Sequence, residues 1–477
     1  MPESTPPGWD VKLLRLAGLK GGLAQHRLGW LEFAALSYLV LPLLVFFAGF
    51  IAPIIAVPAC LTIVFALYRL RPYATRATVP GRRDILLAVA AAALFLLACG
   101  YAPGSGRSWD WLKHYAILNE LAQQSWPPVR EETQSFLRYY LGFYLVPGLA
   151  AKLLGPRQIE LYVLVETWAG LALLLALLLQ RCNPTRPVIF VAVFLLFGGL
   201  DLVGSLLVGK HFSLLGHQEW WAAFARYAYQ GHATLFLWVP QHALPGLLGV
   251  ALLLPGRQPT PQPMLALLGV AAMFWSPFAA LGLAPFAAAV MWRTWRSTIL
   301  DAGTILLAIA VGVPLLVFLT AGASGVPHGP NWPNDLESAG RLALFLLLEV
   351  ALCVVAVRYC SPRALRWPGL VIASLLVLPL YRIGIYNDFT MRVSIPALGL
   401  LAIAVASALS EARGRRWIPL ALVVLVGGVG SVLEIIGRNL DGHVPVHEVS
   451  LRRGFLADDP RFFAQYNAPY PHWLLRR

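Results

Sequence analysis

Charge is what this 477-residue chain has least of: 13% of its residues are Asp, Glu, Lys or Arg, against 58% that are hydrophobic. Soluble domains carry about 25% charged residues and less than half apolar ones, so a water-soluble multidomain enzyme is excluded, although length alone would suggest about three domains. Cysteine is scarce too. Cys60, Cys99, Cys182, Cys353 and Cys360 lie in or beside apolar blocks with no C-x-x-C pair, which argues against a disulfide framework and against a thiolate metal site. No GxSxG elbow, Walker loop, HExxH helix or GxGxxG turn stands in a suitable context, so nothing points to ATP hydrolysis or a nucleotide cofactor. The balance of 37 Lys+Arg against 23 Asp+Glu gives a net charge of +14, but no compact basic domain, zinc-finger spacing or aromatic RNA-binding motif accompanies it. Nucleic acid is therefore excluded as a partner. The first thirty residues also lack the apolar core of a cleavable signal peptide, being interrupted by Pro6, Pro7, Gly18, Gly21 and Gly22.

What the chain has in abundance is apolar runs of about 17 to 24 residues, the length that crosses a hydrocarbon core about 30 Å thick. They predict spans near 31–48, 52–68, 85–100, 160–180, 187–206, 232–254, 264–277, 278–292, 299–320, 341–357, 368–383, 393–410 and 417–437. The expected fold is an all-α, polytopic transmembrane helix bundle of about 13 spans in the cell (inner) membrane. The stretch Leu137–Leu154 is apolar as well, but its Pro147, Gly148 and Lys152 suit a half-inserted or surface helix better than a crossing. Before the first span, Val11, Leu13, Leu14, Leu16 and Leu19, with Lys12, Arg15, Lys20 and Arg27, read as an amphipathic segment over residues 1–30, on the cytoplasmic face.

Loop charge sets the orientation. With the N-terminus cytoplasmic, the inside segments include Arg69, Arg71, Arg82, Arg83, Arg293, Arg296, Arg363, Arg366 and Arg413–Arg416, about twice as dense in Lys/Arg as the outside ones. The bundle then covers 31–437, with a long first outer loop at 101–157, and the C-terminal tail, 438–477, emerges on the extracytoplasmic side.

That first outer loop carries the densest chemistry. Asp110 stands between Trp109 and Trp111, residue types that favour the headgroup zone, and Lys113 and His114 follow one helical turn later on the same side. A carboxylate beside cationic or proton-carrying groups at a bilayer surface suits acid/base work on a phosphate-bearing lipid; the plainer alternative is an interfacial helix whose charges pair and face water. A second constellation, Tyr386-Asn387-Asp388-Phe389-Thr390-Met391-Arg392, precedes the span at Val393. Arg392 at an outer span end can reach a lipid phosphate with two parallel hydrogen bonds, with Asn387 or Asp388 capping the helix that orients it; otherwise it is a turn with a snorkelling arginine. Arg382 lies ten residues before. Third, Asp201 sits inside an apolar block after Phe197-Gly198-Gly199-Leu200, where a carboxylate normally faces protein, water or a substrate path. The segment after it offers Lys210, His211, His217, Glu219, Trp220, Trp221, Gln241 and His242. A His/Glu/Asp set there leaves a divalent metal open, without the tight ligand spacing that would specify one. No other cofactor is required.

An aspartate in the first large outer loop (Asp110), a Trp-Pro-Pro turn (Trp126-Pro127-Pro128), a Tyr-rich half-apolar helix (Tyr139, Tyr140, Tyr144) and many spans together resemble the GT-C class of integral-membrane glycosyltransferases. The chain is also similar to a group of bacterial multispanning membrane proteins sharing Asp-Trp-Leu-Lys-His, Gly-Leu-Asp, Glu-Trp-Trp, Trp-Ser-Pro-Phe and Asn-Asp-Phe-Thr-Met-Arg elements. The GT-C resemblance implies a polyprenyl-phosphate-sugar donor, surrounding membrane lipids, and a glycan, lipid or protein acceptor outside the cytoplasm. It implies Asp110 as the general base of an inverting transfer, with Glu132 (or Glu131) as a reserve acid. Arg392 with Lys113, His114 and Arg382 would hold the lipid phosphate, and Asp201, Trp220, His242 and Asp388 would line the sugar or acceptor cleft. A transporter or lipid flippase is the alternative from another class, and a polysaccharide polymerase or ligase would share the same donor.

Overall fold

The computed structural model describes residues 28–72, 81–105, 108–130, 135–209, 214–219, 221, 227–256, 260–292, 302–321, 326–384, 386–440, 446–447, 449, 467–469, 471 and 473–476. The amphipathic segment expected at 1–30 lies almost wholly outside them.

Helix dominates, in the order α1 (Trp30–Phe50), α2 (Pro53–Leu70), α3 (Arg82–Ala98), α4 (Asp110–Gln123), α5 (Gly142–Leu154), α6 (Ile159–Cys182), α7 (Pro187–Leu195), α8 (Asp201–Leu207), α9 (His232–Trp238), α10 (Pro240–Leu253), α11 (Gln262–Trp275) and α12 (Pro277–Trp292). The series continues with α13 (Ala302–Thr320), α14 (Leu336–Cys360), α15 (Pro368–Val377), α16 (Asp388–Val393), α17 (Ile395–Ser410) and α18 (Ile418–Leu440). Six of these stretches, α1, α2, residues 156–182 ending with α6, α13, α14 and α18, are long and apolar enough to cross a membrane. Their outer surfaces carry bare aliphatic side chains such as Ile54, Val355 and Leu425, which a water-soluble protein would bury.

Contacts sort the connections to two ends. At one, the Leu28 N–H reaches the Leu70 carbonyl, Arg181 pairs with Glu32 at 2.8 Å, and the Thr185 hydroxyl donates to the Ser410 carbonyl at 2.6 Å. At the other, Ala52 N–H donates to Leu474 at 2.9 Å, Asn439 to Ala98 at 2.8 Å, and Arg138 to Leu319 at 2.9 Å. The second end also holds two small sheets. β1 (Val129–Arg130) pairs antiparallel with β2 (Ser135–Leu137), and β3 (His328–Pro330) pairs with β4 (Tyr381–Ile383). The C-terminal strand β5 (Asn467–Pro469) adds to β2, so the tail folds back onto the connection between α3 and α6. At 13 residues α5 is about 20 Å long, too short to cross, and it packs along α4 and α1.

Two of the expected spans are broken. Helix stops at Leu195 and resumes at Asp201 because the intervening backbone is wedged against its neighbours. A Cβ on Gly199 would lie 1.5 Å from Glu349 Oε2, and one on Gly427 of α18 would lie 2.5 Å from the Gly198 carbonyl oxygen. Only glycine allows that approach. The run 232–254 divides at Val239 (φ −148°, ψ 56°), since Pro240 lacks an amide proton and pushes its predecessor out of the helical region. Glu349 itself sits on a π-helical turn, Leu347–Ala351, inside α14.

Gly427→Ala, whose Cβ would meet the Gly198 and Gly199 backbone, should therefore overpack this contact and cost about 1–3 kcal/mol, seen as a lower thermal unfolding midpoint in detergent. An unchanged midpoint would contradict the packing described.

Candidate functional site

The charged groups on the first turn of α4 and on α16 lie within electrostatic range of one another. Asp110 opens α4, and its Oδ2 lies 3.4 Å from Lys113 Nζ. α16 starts from Asn387, which takes the left-handed conformation (φ 58°) that asparagine tolerates and accepts the Thr390 amide on its side chain. Asn387 is thus the cap, leaving Asp388 to pair with Arg392 at 3.7 Å one turn on. Arg392 is buried, and it also donates to the buried Gln230.

The two pairs feel each other. Burial tends to raise the Asp110 carboxyl, but Lys113, His114 when protonated, and Arg392 more than offset it and hold the group below its ordinary value. Asp388 shifts the opposite way: burial raises it, Arg392 and Lys113 only partly oppose, and Asp110 adds to the rise. The two carboxyls are thus pushed apart, Asp110 the more acidic and Asp388 the less.

Tyr140 joins this group. Its phenol is pushed upward by burial and feels Asp388, Arg392 and Asp110. Tyr139 donates to Tyr140, whose oxygen lies 3.3 Å from His242 Nε2, and His242 Nδ1 lies 2.6 Å from Ser276 Oγ. Ser276 is fixed in turn as acceptor for the Ala279 amide at 3.0 Å. Beside these tyrosines opens a cavity of about 270 Å³, walled by Pro277, Phe278, Leu319 and Ile383 and by the polar groups of Arg138 and Asp388.

His114 has a different station from the one expected. It is fully buried, with Nε2 3.0 Å from the Trp238 carbonyl and Nδ1 2.7 Å from the Tyr144 hydroxyl. A carbonyl only accepts, so Nε2 carries a proton and both ring nitrogens are committed inside the protein. The residue ties α4 to α5 and α9 and has no ring nitrogen left for a phosphate. Arg382 is exposed on β4, paired across to Gly329, and is not part of the group. Glu132 and Trp220 lie outside the described residues.

Asp201 belongs to a second, separate group. The Trp221 indole donates to Glu349 at 3.2 Å, and the Asp201 carboxyl interacts with both. Nearby, Glu219 accepts from the Gly231 amide and the Thr234 hydroxyl, each at 2.8 Å. Burial first, then the charges of Asp201 and Glu434, push the Glu219 carboxyl well above its ordinary value. Glu434 accepts from the Trp238 indole at 3.1 Å and the Gln218 amide at 2.9 Å, and His217 lies 3.5 Å away, stacked on Trp238. Among the described residues, no group of three or more His, Cys, Asp or Glu side chains is arranged to hold a metal ion.

Sequence reasoning passed over Arg138, Gln230 and Ser276. The tyrosines and the Trp-Ser-Pro-Phe element were visible as motifs, but the sequence does not indicate that Ser276, His242 and Tyr140 form a chain, because they lie on three separated segments.

The opposite shifts of the two aspartates give a paired expectation. A carboxyl with a depressed value in the folded state stabilises above its unfolded value of about 3.9 and loses that contribution as pH falls; one with a raised value becomes a burden as pH rises. Asp110→Asn should therefore lower the unfolding midpoint at pH 7 and converge with the parent in acid, while Asp388→Asn should be neutral or stabilising at pH 7 to 8. Like signs for the two variants at pH 7 would contradict the assignment.

Comparisons with protein-family models, with curated proteins and with solved structures return no match for this chain.

Proposed function

We propose that this protein is a membrane glycosyltransferase that moves a sugar from a polyprenyl-phosphate donor to an acceptor outside the cytoplasm, in the cell (inner) membrane. The observation that carries the reading is the electrostatic coupling of the Asp110–Lys113 pair to the Asp388–Arg392 pair, with Asp388 on the wall of a mainly apolar and aromatic cavity. A prenyl phosphate needs that combination: cations for the head, an apolar wall for the first isoprene units, and a base at the junction. The alternation of contacts between the two ends of the bundle fits thirteen crossings with the sheets and the site outside, the orientation that the Lys/Arg-rich connections favour.

In the reaction, an acceptor hydroxyl oxygen attacks the anomeric carbon from the face opposite the phosphate, and its proton passes to Asp110. The bond from the anomeric carbon to the phosphate oxygen breaks, its electron pair leaves with the lipid phosphate, and configuration inverts. A carboxylate held below its usual value is a weak base, which suffices where bond breaking runs ahead and the attacking hydroxyl becomes acidic late. Arg392 and Lys113 stabilise the charge that grows on the departing phosphate. Arg392 exchanges its ion pair with Asp388 for the incoming phosphate. The two tyrosines orient hydroxyl groups at the cavity, with His242 and Ser276 holding Tyr140 in place.

A transporter or lipid flippase is the second reading. It draws on the helix interruption at residues 196–200 beside buried Asp201, Glu219 and Glu349, since broken helices commonly hold transport sites. A polymerase or ligase of lipid-linked glycans would use the same site as the transferase.

Asp110→Asn should fold and retain donor lipid yet lose sugar transfer in membranes supplied with labelled lipid-linked sugar. Arg392→Ala should weaken binding of farnesyl phosphate to the detergent-solubilised protein about 10- to 100-fold, the scale of a lost charge-assisted contact. Full transfer by both variants would overturn the site, and substrate counterflow in liposomes without a covalent product would establish the transporter instead.

A further inference from the structure

Among the described residues of the C-terminal tail, Val446, Val449, Leu474 and Leu475 are buried, and the tail's contacts reach α4 and the strand that leads into the cavity wall. α4 carries Asp110 and Lys113 on its first turn and Asn119 near its other end. Asn119 is buried, and its amide Nδ2 donates to two tail carbonyls, Val446 at 2.7 Å and Val449 at 3.1 Å. The side chains of both valines are buried as well. Further along, β5 pairs with β2, the strand that runs directly into Arg138, Tyr139 and Tyr140 of the cavity wall. The tail is then pinned by the Ala52 amide on the Leu474 carbonyl at 2.9 Å and the Arg476 amide on the Phe50 carbonyl at 2.8 Å.

We infer that Asn119 is a positioning residue: it fastens α4 to the C-terminal tail, and the tail, by also extending the β1–β2 sheet, fixes the Asp110–Lys113 turn relative to the tyrosine wall. This inference rests on reading the Asp110–Arg392 group as the working site. The chemistry is specific to an amide. Two carbonyl acceptors meet the two protons of one NH2 group, a match that a carboxylate reverses and a hydrocarbon abolishes. Displacement of α4 by even 1 Å would carry Asp110 and Lys113 away from Arg392, and misplacement on that scale alters rates about 100-fold in well-aligned sites.

The test compares full-length Asn119→Asp, Asn119→Leu and Asn119→Gln with the parent. Hydrogen exchange is read over peptides spanning 110–118, and farnesyl phosphate binding is measured at pH 7. For Asn119→Asp and Asn119→Leu the expected result is faster exchange in 110–118 and about tenfold weaker farnesyl phosphate binding. Asn119→Gln, which keeps both donors, should recover most of each property. A purely structural role would lower the melting temperature and leave the affinity of the folded protein for farnesyl phosphate unchanged. Exchange in 110–118 identical to the parent in Asn119→Asp, or unchanged binding with altered exchange, would overturn the inference. Altered exchange together with a parent protein that never binds farnesyl phosphate would support the clamp and overturn the lipid-phosphate reading.

Discussion

Two ion pairs brought from distant stretches of the chain into one half-buried space are what the functional account depends on. Asp110–Lys113 comes from the first long connection, and Asp388–Arg392 from the turn before α17. Exposed pairs of this kind stabilise little, but away from water a lone charge is costly and a neutral set of four is tolerated. Neutrality also makes the set exchangeable. A phosphate that enters beside Arg392 replaces the charge of Asp388, whose carboxyl is shifted upward by burial.

The bundle keeps this set in place with fixed hydrogen bonds. The Trp238 carbonyl receives His114 from α4, while the Trp238 indole reaches Glu434 on α18. One residue at the end of α9 therefore links the helix that bears Asp110 to the second acidic group. On the other side, the Asn387 cap and the Thr390 hydroxyl, which donates to the Leu378 carbonyl at 3.2 Å, set the start of α16 and hence the direction of Arg392. Both halves of the site thus stand on helix starts, where local sequence dictates geometry most strongly.

How much of this was legible in the sequence follows the range of each interaction. Long apolar runs and Pro/Gly punctuation are local, so six helices long and apolar enough to cross a membrane fall on predicted spans, shorter apolar helices lie on others, and Gly142–Leu154 is a helix of 13 residues. The breaks at Gly198-Gly199 and Val239-Pro240 were written in residues plainly visible; the apolar run around them was simply the louder signal. Asp110 and Arg392 stood out because charge is rare beside such runs. The chain from Ser276 through His242 to Tyr140, and the grip of the tail on Asn119, depend on how segments cross in space, and no periodicity records that. His114 shows the opposite failure: its spacing from Asp110 suggested a phosphate ligand, while burial turned it into a brace between Tyr144 and Trp238.

The most direct test of the account is an experimental structure of the full-length protein in nanodiscs with farnesyl phosphate added. The account predicts phosphate density within hydrogen-bonding distance of Arg392 and Lys113, with the prenyl chain along Phe278 and Leu319 and the Asp110 carboxylate facing the phosphate-bearing end. Phosphate density at the opposite end of the bundle, or beside Asp201 and Glu349 with the Arg392 space filled by protein, would contradict it.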